Sequence, residues 1–152
     1  MPARKPKAPT NRAQALCRLD DLTPGTVLRV EAPLGGETRE FLVLRRGEAD
    51  GLGDDVVIFP NACPHIFINL DLYDGWFMTQ DGQRLLCGQH WAEFRLPDGL
   101  CVAGPCVGRS LEPIPAVIED GAVYLGDFEP QRITWPTRII RFPLIPPKRS
   151  NP

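Results

Sequence analysis

The stretch NACPHIFINL, residues 61 to 70, places Cys63 two residues before His65 inside a largely apolar run. A second pair, Cys87 and His90, follows in CGQH, residues 87 to 90. The chain has two histidines, so each of them lies within three residues of a cysteine. Cysteine and histidine hold zinc and iron-sulfur clusters, and such spacing lets one loop offer two ligands to one site. The two pairs together predict a metal site with four ligands.

The sequence around these pairs resembles the Rieske iron-sulfur proteins, whose motif is Cys-x-His, a spacer, then Cys-x-x-His. The resemblance extends to the stretches ALCRLDDLTPG (15–25), CGQHWAEFRLPDGLCVAGPC (87–106) and LEPIPAVIEDGAVYL (111–125), and so covers most of the chain. It implies a [2Fe-2S] cluster with Cys63 and Cys87 on one iron and His65 and His90 on the other.

The resemblance implies an electron carrier, a soluble ferredoxin that serves a reductase or a terminal oxygenase. High-potential members of the family carry two further cysteines, which form a disulfide, at the positions of Ile68 and Gln89. Their absence indicates the low-potential ferredoxin type. Catalysis by this chain is not expected, since an oxygenase needs a second iron site with two more histidines. No small-molecule substrate is expected either.

Three features depart from the common family pattern. The first is a spacer of 21 residues between His65 and Cys87, which we expect to protrude as a hairpin. Its apolar residues are candidates for a docking patch for a redox partner: Trp76, Phe77 and Met78. The alternative is a surface insertion without a function.

The second departure is bulk at two positions where the family usually has glycine, Phe67 and Trp91. Glycines there let backbone amides approach the cluster, so we expect altered hydrogen bonding around it. The third departure is a pair of further cysteines, Cys101 and Cys106, in a loop that shields the cluster in the family. They form either a local disulfide or two buried thiols, and a reducing compartment favours the thiols. Cys17 is expected in the core.

The fold class predicted is all-β, a Rieske-like antiparallel β-sandwich with a small cluster-binding subdomain, because short β-branched runs alternate with Gly and Pro turns. Residues 1–14 are expected to be a mobile basic arm, 15–128 the Rieske domain with its subdomain at 60–107, and 129–152 an extended Pro-rich segment packed on the domain. Strands are predicted at Leu16–Leu19, Val27–Glu31, Glu40–Arg45, Asp55–Phe59, Arg84–Cys87, Glu93–Leu96, Ala116–Ile118 and Val123–Leu125. Asp120-Gly121, between apolar runs, predicts a tight hairpin.

Charge is distributed unevenly along the chain. Nine of the 17 basic residues lie in residues 1–12 and 131–152, which leaves eight against all 19 acids between 13 and 130, a formal charge of −11. Such a body disfavours nucleic acid and suits a basic protein surface, although the charge can equally serve solubility alone. No apolar run is long enough for a membrane span, and no secretory signal is visible, so a cytoplasmic location is expected. A structural Cys2His2 zinc module for protein interaction, or a non-catalytic oxygenase subunit, remains as an alternative.

Overall fold

The computed structural model describes residues 14–34, 36–45, 56–64, 68–71, 77–88, 91–96, 98–128 and 133–135. These residues form nine strands and one short 3-10 helix, Leu19–Asp21, with no α-helix among them. The strands are β1 (Cys17–Arg18), β2 (Val27–Leu34), β3 (Glu37–Arg45), β4 (Val56–Pro60), β5 (Arg84–Leu86), β6 (Glu93–Arg95), β7 (Cys101–Ala103), β8 (Ala116–Glu119) and β9 (Ala122–Leu125). The predicted all-β class is confirmed.

The strands pair into three antiparallel sheets of three strands each. Their orders are β2-β3-β4, β5-β6-β7 and β1-β9-β8. A single bridge between Ile58 and Ile114 ties β4 to the chain that leads into β8. The sheet β5-β6-β7 lies within the predicted cluster-binding subdomain, whose boundaries stay a prediction.

Strand β3 is buried on both faces, because alternate side chains of a strand point to opposite sides of its sheet. Leu42 and Leu44 enter one apolar core, together with Phe59 of β4. Phe41 and Val43 enter a second core on the opposite face. Each large apolar side chain removed from water contributes about 1.5–3 kcal/mol, so this one strand supports both halves of the domain.

The two cores serve different parts of the molecule. The first core joins the β2-β3-β4 sheet to the β5-β6-β7 sheet and includes Phe94, Leu85 and four cysteines. The second core joins the β2-β3-β4 sheet to the β1-β9-β8 sheet through residues such as Val123 and Leu125. The first core therefore contains Cys63 and Cys87, the two predicted ligands among the described residues.

A short part of the C-terminal segment packs on the second core. Ile133 and Trp135 lie against it, and the Trp135 ring meets Phe41 edge-on with ring centroids 5.4 Å apart. Arg39 stacks over the same indole at 5.4 Å. Residues 1–13 of the predicted arm and residues 129–132 and 136–152 of the predicted extended segment lie outside the described residues.

The predicted hairpin at Asp120-Gly121 is present between β8 and β9. Both turn residues have positive φ, 51° at Asp120 and 75° at Gly121, as a type I′ turn requires. The strand predicted at Leu16–Leu19 shortens to β1, because the chain turns into the 3-10 helix at Leu19. Strand β7 was not predicted, since three residues between Gly-rich turns give too short a pattern.

Cys17, in β1, is half-buried against the second core. Burial and then the nearby Asp21 carboxylate raise the pKa of its thiol to about 11. This cysteine therefore stays a protonated side chain, as expected of a core residue.

Gly99, before β7, provides a test of the close packing in the first core. Its φ is +73°, and a Cβ there would lie 2.2 Å from the Leu111 carbonyl oxygen. Gly25 has a similar φ of +85° but open space around it. We expect Gly25→Ala to lower the free energy of unfolding by about 1 kcal/mol and Gly99→Ala by at least about 3 kcal/mol in urea titrations. Equal losses would contradict the packing described for Gly99.

Candidate metal centre

The first predicted ligand loop follows β4 directly. The Asn61 amide donates to the Glu40 carbonyl at 3.0 Å, which continues the β3-β4 pairing by one residue. Two residues later the Cys63 amide donates to the Ile68 carbonyl at 2.7 Å. This bond closes a loop from residue 63 to residue 68. His65 and Phe67 belong to that loop in the sequence and lie outside the described residues.

The second predicted ligand loop follows β5 and is closed in the same way. The Cys87 amide donates to the Ala92 carbonyl at 2.8 Å, again five residues onward. The Trp91 amide in turn donates to the Cys87 carbonyl at 3.0 Å. Gln89 and His90 fall within this loop and lie outside the described residues. The two Cys–His motifs are thus carried on two loops that begin with the same backbone bond.

Leu70 connects the two loops to each other. Its carbonyl accepts a hydrogen bond from the Gly88 amide at 2.9 Å, and Gly88 is the residue after Cys87. Its own amide donates to the Oδ1 atom of Asn61 at 2.8 Å. The start of the second loop is therefore fixed against the end of the first loop through one buried residue.

A third loop, from Cys101 to Arg109, packs beside these two. The Arg109 guanidinium donates to the carbonyl of Pro64, in the first loop, at 3.2 Å. Gly104 has a φ of +92°, and a Cβ there would lie 2.7 Å from the Cα of Ala92. A side chain at this position would push the third loop away from the second. The Gly-Pro segment therefore lies against the ligand loops, where the resemblance implied a shielding loop.

Cys101 and Cys106 are both present as free, buried thiols. The Cys106 thiol donates to the Cys101 sulfur at 3.0 Å, and the Cys101 thiol donates to the Ala103 carbonyl at 3.1 Å. Burial, followed by the contact with Cys101 and the nearby Cys63, raises the pKa of Cys106 to about 12. The structure thus has the predicted thiol pair and not the alternative disulfide.

The candidate ligands Cys63 and Cys87 lie in the same apolar core, each with 1% of its surface exposed. Within the described part of the chain, no three His, Cys, Asp or Glu side chains are arranged to hold a metal ion. Both histidines lie outside that part. The donor chemistry fits a mixed cysteine and histidine centre, because each buried thiol begins a loop whose sequence carries one histidine. The four-ligand assignment itself stays a prediction.

The predicted docking patch is wrong in one of its residues. Phe77 is 6% exposed and belongs to the first core, and its carbonyl accepts from the Leu86 amide at 2.7 Å. Met78 is partly buried and forms a bridge with Leu85 of β5. The end of the spacer pairs with β5, and this pairing places the side chains of Phe77 and Met78 against the first core. Trp76 lies outside the described residues.

Trp91 adopts the backbone conformation that glycine would favour at its position. Its φ is +59°, a region that costs most side chains about 1–2 kcal/mol. Its indole is nevertheless 43% exposed and so gains only part of the stabilisation of a core tryptophan. This strain is therefore retained at an exposed aromatic residue of the second predicted ligand loop.

The sequence did not single out Asn61 or Leu70, although both hold the ligand loops in place. The sequence does contain a signal for this role of Asn61. Asn61 and Asn69 flank the apolar run, and Asp71 follows it. Polar residues at the borders of a buried run are candidates for hydrogen bonds to backbone amides.

Comparison with known proteins identifies the fold. No family model and no curated protein matches the chain. Solved structures do match, among them a complex of reduced oxygenase and oxidised ferredoxin in carbazole 1,9a-dioxygenase, with 25% identity over 74% of this chain and 99% of the other and a TM-score of 0.54. This chain has the fold of a Rieske-type ferredoxin.

Two further ferredoxins share that fold. The ferredoxin of carbazole 1,9a-dioxygenase from Nocardioides aromaticivorans IC177 has 23% identity over 74% of this chain and 94% of its own, with a TM-score of 0.54. A Sphingomonas yanoikuyae B1 ferredoxin has 24% identity over 75% and 97%, also with a TM-score of 0.54. The Rieske-type fold therefore accounts for nearly the whole length of these ferredoxins and three quarters of this chain.

The strain at Trp91 can be measured by comparing two substitutions that both remove the indole. Trp91→Gly relieves the positive φ, whereas Trp91→Ala retains it. We expect the Gly variant to be about 1 kcal/mol more stable than the Ala variant in urea unfolding, the reverse of the usual order at an ordinary position. An Ala variant as stable as the Gly variant would show that residue 91 carries no such strain.

Proposed function

We propose that this chain is an electron carrier that holds a [2Fe-2S] cluster, with Cys63 and Cys87 on one iron and His65 and His90 on the other, and that it serves an oxygenase. The observation that carries the proposal is the pair of loops closed by the amides of Cys63 and Cys87 within one apolar core. Each loop offers one thiol and, in its sequence, one imidazole. The fold shared with Rieske-type ferredoxins supports the same assignment.

When bound, such a cluster accepts one electron at a potential between about −150 and +300 mV for the class. The residues of the first core exclude water from the inner side of the ligand loops, and the closest of them in sequence are Leu70 and Ala92. The third loop covers the first loop through Arg109 and the second through Gly104. Ile68, in place of a cysteine, packs on the first core and supports the low-potential type.

The chain acts as a carrier and not as a catalyst, in keeping with the ferredoxins that share its fold. One of those ferredoxins is in a complex with the oxygenase of carbazole 1,9a-dioxygenase. We infer that this chain likewise docks on a terminal oxygenase, and that it receives its electron from a reductase. Such an interface is expected to be small and transient, as is usual for redox encounters.

Two exposed apolar side chains mark the surface that we assign to this docking. Trp91 is 43% exposed on the second ligand loop, and Val107 is 63% exposed on the third loop, next to Cys106. They flank the ligand loops, so a partner that covers them shortens the path for the electron. The acidic charge of residues 13 to 130 would steer the chain toward a basic surface, an effect that salt weakens.

We place the protein in the cytoplasm. All five cysteines are described, and none of them forms a disulfide. No helix in the described part of the chain is long and apolar enough to cross a membrane. Reduced thiols at Cys101 and Cys106, in contact with each other, suit a reducing compartment.

The ligand assignment is tested with matched cysteine variants purified without oxygen. Cys63→Ser is expected to lose at least nine tenths of the bound iron, because a hydroxyl is a poor substitute for a thiolate ligand. Cys101→Ser, an equally buried cysteine of the same core, is the control and should keep the visible spectrum of the wild type. Loss of iron in both variants, or in neither, would contradict the assignment.

Histidine variants test the other half of the ligand set. His65→Cys adds a thiolate and with it negative charge, so the reduction potential should fall or the cluster should fail to assemble. The potential is measured by titration followed in visible absorption and paramagnetic resonance. A His65→Cys protein with the iron content and potential of the wild type would remove His65 from the ligand set.

A further inference from the structure

The buried polar side chains of the described residues form one cluster, which we call the carboxylate-amide cluster. Its members are Glu40, Asn61, Asn69 and Asp71, which are between 0 and 6% exposed. Glu40 accepts from the amide nitrogens of Asn61, at 3.0 Å, and of Asn69, at 2.8 Å, through the same oxygen. Asp71 accepts from the Asn61 amide nitrogen at 2.8 Å. Two carboxylates thus meet at one asparagine.

The carboxylate-amide cluster is attached to both ligand loops. Asn61 precedes Cys63 by two residues, so their Cα atoms lie within about 8 Å of each other. The Oδ1 atom of Asn61 also holds the amide of Leu70, whose carbonyl holds Gly88 beside Cys87. The two carboxylates are therefore held at the ligand loops by Asn61, which also bonds Leu70, the residue that joins the loops.

The surroundings of the two carboxylates stabilise negative charge. The Arg29 guanidinium donates to Asp71, and the side-chain amides of Asn61 and Asn69 donate hydrogen bonds to the two acids. The Oδ1 atom of Asn69 is a buried oxygen for which the described structure holds no hydrogen-bond donor. An unmatched oxygen dipole costs stability and makes the local potential more negative.

Buried carboxylates and amides are not the side chains that stabilise a core most. A buried ion pair is often matched or exceeded in stability by apolar residues of the same volume. The Leu70 amide is held by one hydrogen bond to the Oδ1 atom of Asn61, and that bond does not require two acids beside the asparagine. Both acids lie near the ligand loops, and a charge there acts on any electron that arrives at the centre.

We propose that the carboxylates of Glu40 and Asp71, fixed by Asn61, hold the reduction potential of the metal centre low. The proposal rests on the function proposed above. Reduction adds one negative charge to the centre, and a nearby carboxylate repels it, so the oxidised state is favoured. Replacing one carboxylate by an amide removes that repulsion whatever other partners the acid has. Each replacement should therefore raise the potential.

The test uses Asp71→Asn and Glu40→Gln in the intact chain, purified without oxygen. Both substitutions conserve shape and keep a side-chain oxygen as an acceptor. The matched control is Glu37→Gln, which removes the same charge from an exposed acid that is paired with Arg39 at the far end of the β2-β3 pair. Potentials are measured by redox titration followed by visible circular dichroism, and paramagnetic resonance reports whether the centre is intact.

At the midpoint potential of the wild type, each of the two variants is expected to hold on the order of ten times more reduced than oxidised protein, equivalent to about +59 mV. Glu37→Gln should stay at the wild-type ratio. The proposal is overturned if a variant with an intact resonance spectrum shows no larger shift than the control, or shifts downward. Each variant is a sufficient test by itself. If the centre fails to assemble in one of them, the other variant still tests the proposal.

Failure of this inference is distinct from failure of the proposed function. A wild-type chain with no reducible centre would contradict the proposed function. If the wild-type chain has a reducible centre but its reduction potential does not change in Asp71→Asn and Glu40→Gln, only the inference from the carboxylate-amide cluster is contradicted.

Discussion

The candidate site depends on one repeated constraint, the backbone hydrogen bond from each candidate ligand cysteine to the carbonyl five residues onward. In the first loop it joins Cys63 to Ile68, and in the second it joins Cys87 to Ala92. Each bond joins the two ends of a stretch of six residues, and both cysteines lie in the first apolar core. Leu70 then fixes one loop against the other. These bonds therefore relate two Cys–His motifs that are separated by 21 residues in the sequence.

The rest of the fold packs around these loops and supports them. Strand β3 buries side chains on both faces and so joins the core around the ligands to the core that carries β1, β8 and β9. The third loop closes over the ligand loops from the other side, and Gly104 allows it to approach Ala92. An electron carrier benefits from this support, because the surroundings of the centre change little when it is reduced.

Much of the fold could be predicted from local patterns. Short runs of alternating apolar and polar residues predicted most of the strands, and Asp120-Gly121 predicted a hairpin. Both signals depend only on residues that are close in sequence. Cys63 and Cys87 were singled out as candidate ligands for the same reason, since each lies within four residues of a histidine in the sequence, and their assignment as ligands stays a prediction. The Cys101 and Cys106 thiols followed from the expected compartment.

The remaining features depend on contacts between distant segments. Phe77 was expected in an exposed patch, but pairing of the spacer with β5 turns it into the core. Glu40 and Asp71 are 31 residues apart and resemble ordinary surface acids until folding brings both to Asn61. The positive φ of Trp91 follows from the closure of its loop, which no propensity for tryptophan indicates.

We propose that these two loops hold a [2Fe-2S] cluster with mixed cysteine and histidine ligands. The decisive measurement is paramagnetic resonance of the dithionite-reduced protein, purified without oxygen and analysed for iron and sulfide. We expect about two irons and two sulfides per chain and a resonance with an average g value below that of the free electron. A colourless protein that contains one zinc and gives no resonance would contradict it.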